Sequence, residues 1–159
     1  MKHIVGVADM KISDQPEDEL VTHALGSCLG IAAYDPVAVV AGLLHVMLPL
    51  STINPEKAKQ NPCMFVDTGV PHFFRQLYKA GAIKKRIVVK VAGGANVQNN
   101  GNDRFAIGKR NYIVLKKLFW RNGVLIEAED VGGSVARTMH LQVATGKVLI
   151  ASNGQTREL

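Results

Sequence analysis

The apolar positions of this chain fall into short runs separated by Gly, Pro, Asn and Asp, a spacing that predicts several strands and few helices. Residues 3–8 alternate loosely and predict a first strand; residues 19–25 predict a second. Two denser apolar runs, 29–34 and 39–48, flank Asp35-Pro36-Val37-Ala38, which has Asp at the first and Pro at the second turn position. Together they predict a β-hairpin. Pairing Asp35 with Ala38 sets Cys28 directly opposite His45 on one face of the ladder. Leu29, Ile31 and Ala33 then share an apolar face with Leu44, Val46 and Leu48. Cys28, Gly30, Ala32 and Tyr34 share the other with His45, Leu43, Ala41 and Val39, and Gly30 leaves open space beside the thiol. Pro36-Val37 is not the primed turn that tight hairpins favour, and a one-residue slip would send His45 to the opposite face.

Helical periodicity is confined to three places. Asn54-Pro55-Glu56 predicts a helix start that Asn61-Pro62 soon stops. Residues 65–80 predict a longer helix capped by Asp67, with Pro71 near its first turn and Gly81 at its end. Phe73, Phe74, Leu77 and Tyr78 form its apolar stripe. Asn111 or its neighbours begin another, with Tyr112, Leu115, Leu118 and Phe119 inward and Gly123 as its stop. Strands are expected over 86–91 and 124–128, and a closing hairpin over 137–144 and 147–152 turns at Thr145-Gly146. Gly93-Gly94-Ala95 with residues 98–102 predicts a flexible loop, and residues 130–133 a turn. Strands outnumber helices and several are joined locally. The expected fold is an α/β sandwich of the α+β kind: one domain with a mixed, largely antiparallel sheet and flanking helices.

Composition narrows this picture. At 159 residues, 47% hydrophobic and 20% charged, the chain has the size and balance of one soluble globular domain. Two cysteines make no disulfide framework, and Met1-Lys2-His3-Ile4 carries no signal-peptide or lipidation motif. The apolar stretch 37–50 is broken by His45 and Pro49 and is too short for a bilayer. A cytoplasmic protein is expected. Net charge is +6, with eleven Lys or Arg and one acid, Asp103, between residues 79 and 121. That segment suits a nucleic acid, an acidic protein partner or plain solvation. The absence of any RNA- or DNA-binding signature weighs against the first.

Candidate chemistry centres on Gly26-Ser27-Cys28-Leu29-Gly30 and His45, because a thiol beside an imidazole makes a thiolate nucleophile. The competing reading is a small buried hydrophobe, the commoner fate of a free cysteine. His23, five residues before Cys28, is the rival base. Ser27 shows no sign of activation and suits backbone positioning. Cys63 has no glycine frame or paired histidine and reads as an inert thiol. His3, His23, His45, His72 and His140 lack metal-ligand spacing, so no metal is expected, and no cofactor either. Gly93-Gly94 and Gly132-Gly133 lack a phosphate-loop pattern and suit turns with positive φ.

The stretches 22–28 (Thr-His-Ala-Leu-Gly-Ser-Cys) and 42–49 (Gly-Leu-Leu-His-Val-Met-Leu-Pro) closely resemble the two signature stretches of the CheD chemoreceptor glutamine deamidases. Further likeness runs in order through Phe65-Val66-Asp67, Gly93-Gly94-Ala95, Ile107-Gly108-Lys109-Arg110-Asn111, Asp130-Val131-Gly132-Gly133, Arg137 and Thr145-Gly146. Ala92, where the family often has an aromatic, and Ala136, where it usually has Gly, depart from it. The resemblance implies a CheD-like deamidase domain over 1–159 with a catalytic set of Cys28, His45 and Thr22; spacing alone does not single out Thr22. Gly26 and Ser27 are expected to bind substrate. The resemblance further implies a glutamine substrate on methyl-accepting chemotaxis receptors and a CheC-type phosphatase as partner, without nucleic acid or membrane insertion. On this reading the basic 79–121 segment, with Lys84, Lys85 and Arg86, is a docking face for acid-rich receptor helices. A non-catalytic adaptor binding receptors and CheC is the alternative.

Overall fold

The structure, a computed structural model, describes residues 1–97 and 106–159; the loop expected over 98–102 lies outside them. Its strands are β1 (Lys2–Val5), β2 (Asp9–Ser13), β3 (Glu19–Leu25), β4 (Leu29–Asp35), β5 (Val40–Val46), β6 (Val88–Gly93), β7 (Ile126–Val131), β8 (Arg137–Gln142), β9 (Val148–Ser152) and β10 (Gln155–Glu158). The α-helices are α1 (Pro55–Gln60), α2 (Val66–Lys79) and α3 (Ile107–Asn122). The strands divide between two five-stranded sheets, ordered β1-β3-β8-β9-β10 and β2-β5-β4-β6-β7. Each is mixed and largely antiparallel, with one parallel pair: β1 with β3, and β6 with β7. The α+β character is as expected, but the strands form two layers where one sheet was anticipated. β2 and β10 had no counterpart among the expected strands.

Layering explains the density of the two hairpin runs. One face of β4 and β5 (Leu29, Ile31, Ala33, Leu44, Val46) packs on α2 and α3 through Phe73, Leu77, Leu115 and Phe119. The other (Ala32, Tyr34, Ala41, Leu43) packs on the first sheet through Leu20, Leu25, Met139 and Leu141. Every residue of both strands is buried. A strand covered on both sides gains from apolar residues at every position, so alternation disappears.

The hairpin register differs from the expected one. Asp35 pairs with Val40 and Gly30 with His45, a shift of two residues that leaves Cys28 just outside the ladder. The turn is responsible. Asp35 Oδ1 accepts hydrogen bonds from the backbone N–H groups of Val37 and Ala38, and the Asp35 carbonyl accepts from Val39 N–H, closing a four-residue loop. Because side chains alternate with period two, a two-residue shift preserves the face. Cys28 and His45 stay on the side turned toward the first sheet. No open space lies at Gly30, however: a Cβ there would sit 2.9 Å from both Leu25 Cδ1 and Met139 Sδ.

The helices follow their predicted spans with local differences. Asp67 does not cap α2; its carboxylate reaches back to Ser51 N and Oγ, each at 2.9 Å. Pro71 lies in the second turn without breaking the helix, and Tyr78 is exposed where burial was expected. α3 begins at Ile107, before Asn111, and ends as expected at Gly123, which adopts a left-handed φ of 68°.

Arg86, expected on a free basic face, is committed to the fold. Its guanidinium bonds the fully buried Asp35 at 3.0 Å, and Ile83 N–H donates to the same carboxylate. Burial pushes the Asp35 carboxyl up, but the N–H donors of Ile83, Ala38, Arg86 and Val37 outweigh it and hold it at about 2. Asp35→Ala is expected to cost about 3 kcal/mol in urea unfolding, since it strips these donors of their acceptor. The folded value lies below the unfolded one of roughly 3.9, so the carboxylate's contribution is complete above about pH 4 and lost as pH falls through about 2. Asp35→Ala should therefore lose less stability than the parent between those pH values. Equal losses in acid titrations of both proteins would contradict this assignment.

Candidate active site

Cys28 lies in the turn between β3 and β4, at the open end of the β4–β5 hairpin, and is partly exposed. Backbone contacts hold the turn on both sides. Ala95 N–H donates to the Gly26 carbonyl at 2.8 Å and Gly94 N–H to the Cys28 carbonyl at 2.9 Å. The Cys28 carbonyl passes so close to Gly93 that a Cβ there would lie 2.1 Å from it, and Gly93 has φ +110°. Only glycine meets both demands. Gly108, in the first turn of α3, packs as closely on Gly94, with 2.6 Å from its would-be Cβ to the Gly94 carbonyl carbon.

His45 is fully buried in β5. Its Nδ1 lies 2.7 Å from Thr22 Oγ1 on β3, so the contact crosses from one sheet to the other. Thr22 Oγ1 also lies 2.8 Å from the Val5 carbonyl oxygen. A carbonyl can only accept, and a hydroxyl has one hydrogen. The Thr22 hydroxyl therefore donates to Val5, and its lone pair accepts from His45 Nδ1–H. This assigns the tautomer: Nε2 carries the free lone pair. Nε2 is buried and finds no hydrogen-bond partner among the described residues. An unpaired acceptor of this kind costs about 1–3 kcal/mol in a folded interior and is rarely left without a use.

Burial sets the protonation of both groups. It lowers His45 to about 4 and pushes the Cys28 thiol up, against a smaller opposing pull from its own backbone N–H. Both shifts favour the neutral forms, a thiol at Cys28 and an unprotonated imidazole at His45, and no hydrogen bond joins the thiol to Nε2.

Asn111, expected at a helix start and within the family-like stretch 107–111, is not among the expected site residues. It is fully buried on α3, and its Nδ2 donates to the Ser27 carbonyl at 3.0 Å and the Met47 carbonyl at 2.9 Å. One side chain thus ties the segment before Cys28 to the segment after His45. Its Oδ1 is the other buried side-chain atom without a partner among the described residues. The signal was the polar Asn at an inward position of an amphipathic helix.

The remaining candidates fall elsewhere. His23 is exposed, 3.3 Å from Thr138 Oγ1, within a bulge in β3 where the next residue, Ala24, takes φ 60°. His3 pairs with Asp18 and His140 with Glu19. Cys63 is buried on the helix-facing side of the second sheet, where burial, helped by the Asp9 charge, raises it to about 11. Gly132 and Gly133, like Gly93 and Gly94, occupy positive φ as expected of turn glycines.

Two measurements probe this geometry. Alkylation of Cys28 by iodoacetamide should rise continuously with pH from 6 to 9, as for a thiol raised above its ordinary value; a rate constant flat from pH 5 to 8 would reveal a resting ion pair instead. Asn111→Leu should destabilise the protein by about 2 kcal/mol in urea, since two carbonyls lose their donor. An unchanged midpoint would mean that they find other partners.

Comparison with known proteins places the chain. The profile described as CheD chemotactic sensory transduction matches residues 47–152. The protein named "Probable chemoreceptor glutamine deamidase CheD 1" of Syntrophus aciditrophicus is 48% identical over 157 residues, 98% of each chain. A "Probable chemoreceptor glutamine deamidase CheD" of Solibacter usitatus is 45% identical over 98% of this chain and 92% of its own. One of the same name from Thermococcus kodakarensis is 38% identical over 97% of this chain and 96% of its own. Similarity of this extent, over nearly the whole of each protein, means that this chain belongs to the CheD family.

Proposed function

We propose that this protein hydrolyses glutamine side chains of methyl-accepting chemotaxis receptors to glutamate, with Cys28 as nucleophile, His45 as general base and Thr22 as the residue that orients the imidazole. The observation that carries this reading is the Val5–Thr22–His45 relay, which fixes the free lone pair on Nε2, on the face of the sheet shared with Cys28. The names of the relatives supply the substrate class.

The chemistry follows from the resting charges. Because burial favours the neutral pair, the proton leaves Cys28 Sγ for His45 Nε2 as sulfur attacks the carboxamide carbon. The oxyanion of the tetrahedral intermediate accepts from preorganised donors, among them the Cys28 backbone N–H, and Gly26 and Ser27 line the approach of the substrate. Collapse breaks the C–N bond. The imidazolium gives its proton to the departing nitrogen, releasing ammonia and leaving a thioester. Water then attacks the thioester carbon, His45 takes its proton, and the thiolate leaves and is reprotonated by His45. The sum is glutamine plus water to glutamate plus ammonia, with no cofactor.

Thr22 acts here as Asp or Asn does in other thiol hydrolases, holding the ring through Nδ1. A hydroxyl adds no negative charge, so it orients the imidazole without raising its basicity as a carboxylate would. On this reading residues 1–159 work as one cytoplasmic deamidase domain, and a CheC-type phosphatase is its regulatory partner. Among the described residues, no helix is long and apolar enough to cross a membrane.

The test is incubation with a purified receptor cytoplasmic fragment, following ammonia release and the one-dalton gain at glutamine by peptide mass spectrometry. Cys28→Ala and His45→Ala should abolish both signals. Thr22→Val, which removes the acceptor of Nδ1–H, should lower kcat about 100-fold with KM nearly unchanged. Ammonia release at the parental rate by Cys28→Ala would overturn the assignment.

A further inference from the structure

The C-terminal end of α3 and the segment after it display large apolar side chains to solvent. Trp120 is 84% exposed and Leu125 86% exposed, and both line one hollow together with Lys116. Leu125 also lines the neighbouring hollow with Lys84, Lys85 and Ile83, itself 45% exposed. A third hollow, between α2 and α3, joins these through Lys84 and Val124 and adds Arg75 and the half-exposed Tyr78. Scattered exposed apolar residues are ordinary; a contiguous patch centred on a tryptophan and rimmed by charge marks an interaction surface.

The rim says what the surface fits. Arg75, Lys84, Lys85 and Lys116 border the patch, and none of them forms an ion pair among the described residues. Glu127 and Glu129 are its acids, and Glu129 already accepts from Tyr112 Oη. A second copy of this chain, at net charge +6, would set cations against cations. A nucleic acid would use the cations but leave Leu125 and Ile83 unmatched. An amphipathic helix bearing acids beside an apolar stripe satisfies both halves.

We propose that this face is an exosite for an acidic amphipathic α-helix of the protein substrate, separate from the glutamine under attack. It rests on the deamidase reading above. Trp120 and Asn111, which holds the carbonyl next to Cys28, lie nine residues apart on α3, about 14 Å along the helix axis. A substrate must therefore extend beyond its reacting residue to touch both, and a short glutamine peptide cannot. Arg86 takes no part, being bound to Asp35.

Trp120 is the only tryptophan of the chain, so its emission reports cover of the patch directly. A tryptophan-free receptor cytoplasmic fragment added to Cys28→Ala should shift Trp120 emission to the blue, and rising salt should reverse the shift. In the otherwise unchanged enzyme, Trp120→Ser with Leu125→Ser, and separately Lys84→Glu with Lys85→Glu, should each raise KM for the fragment about tenfold or more. kcat, and the rate on a short glutamine peptide, should stay as they were. Parental KM in both double variants, or an emission shift produced by duplex DNA and not by the fragment, would overturn the exosite. Absence of ammonia release by the parent enzyme from either substrate would instead overturn the deamidase reading, so the two failures are distinguishable.

Discussion

The Thr22 hydroxyl has a single hydrogen, and the direction in which it points governs the chemistry of the site. Val5 on β1 takes that hydrogen, Thr22 on β3 is left to accept, and His45 on β5 of the other sheet must donate. The contact spans the seam between the sheets, where the surrounding side chains are apolar: Leu20, Leu25, Ala41, Leu43, Met139 and Leu141. A hydrogen bond weakens steeply beyond about 3.2 Å or when bent. The spacing of the sheets therefore positions the imidazole, and the interdigitation of that core helps set where the ring sits. A cavity mutation at Met139 or Leu141 would act on the ring through this spacing without touching it.

The burial that orients the ring also fixes the charge state of the site. Desolvation lowers His45 and raises Cys28 together, so both favour their neutral forms at rest. On the mechanism proposed above, charge would appear only during attack, in surroundings of low effective dielectric where a pair of opposite charges is strongly coupled. Neutral resting groups need no counter-ion. A hydroxyl at Thr22 suits these surroundings better than a carboxylate would: a buried, unpaired negative charge beside a neutral histidine would be costly. Thr22 supplies direction alone.

Much of this was legible from residue order, and the exceptions have specific causes. The hairpin, its two faces and the side shared by Cys28 and His45 follow from period-two patterning, which survives a shift of two residues. The shift itself came from the Asp35 carboxylate gathering Val37 and Ala38 into a longer loop, a preference that Pro at the second turn position does not reveal. Gly30 suggested open space because a sequence shows what a residue lacks and not what fills the gap; Leu25 and Met139 fill it. Strand patterns do not show how strands divide among sheets, so the second layer, and with it the partner of His45, was out of reach of spacing. The family resemblance named Thr22; the geometry puts its hydroxyl 2.7 Å from His45 Nδ1. Asn111 was legible as a helix start and as the end of the family-like stretch 107–111, and neither shows which groups its carboxamide bonds.

The layering also sets which residues of the hairpin can meet solvent. β4 and β5 are sealed on one face by helices and on the other by the first sheet, so side chains in mid-hairpin have no route to solvent. Access remains only where the hairpin ends. Cys28 immediately precedes the first residue of β4 and His45 is the penultimate residue of β5, so both stand at that open end. The thiol is partly exposed while Gly30, two positions further in, is buried. The His45 imidazole lies on the sealed side, and the Cys28 thiol lies toward the open one. α3 closes the remaining gap: Gly108 presses on Gly94, and Asn111 bonds a carbonyl from each arm. A hairpin end without that clamp would fray, because terminal ladder residues have the fewest partners. Holding two fraying ends in register takes a donor that can bond both at once, which a carboxamide with two N–H groups provides and a hydroxyl, with one, does not.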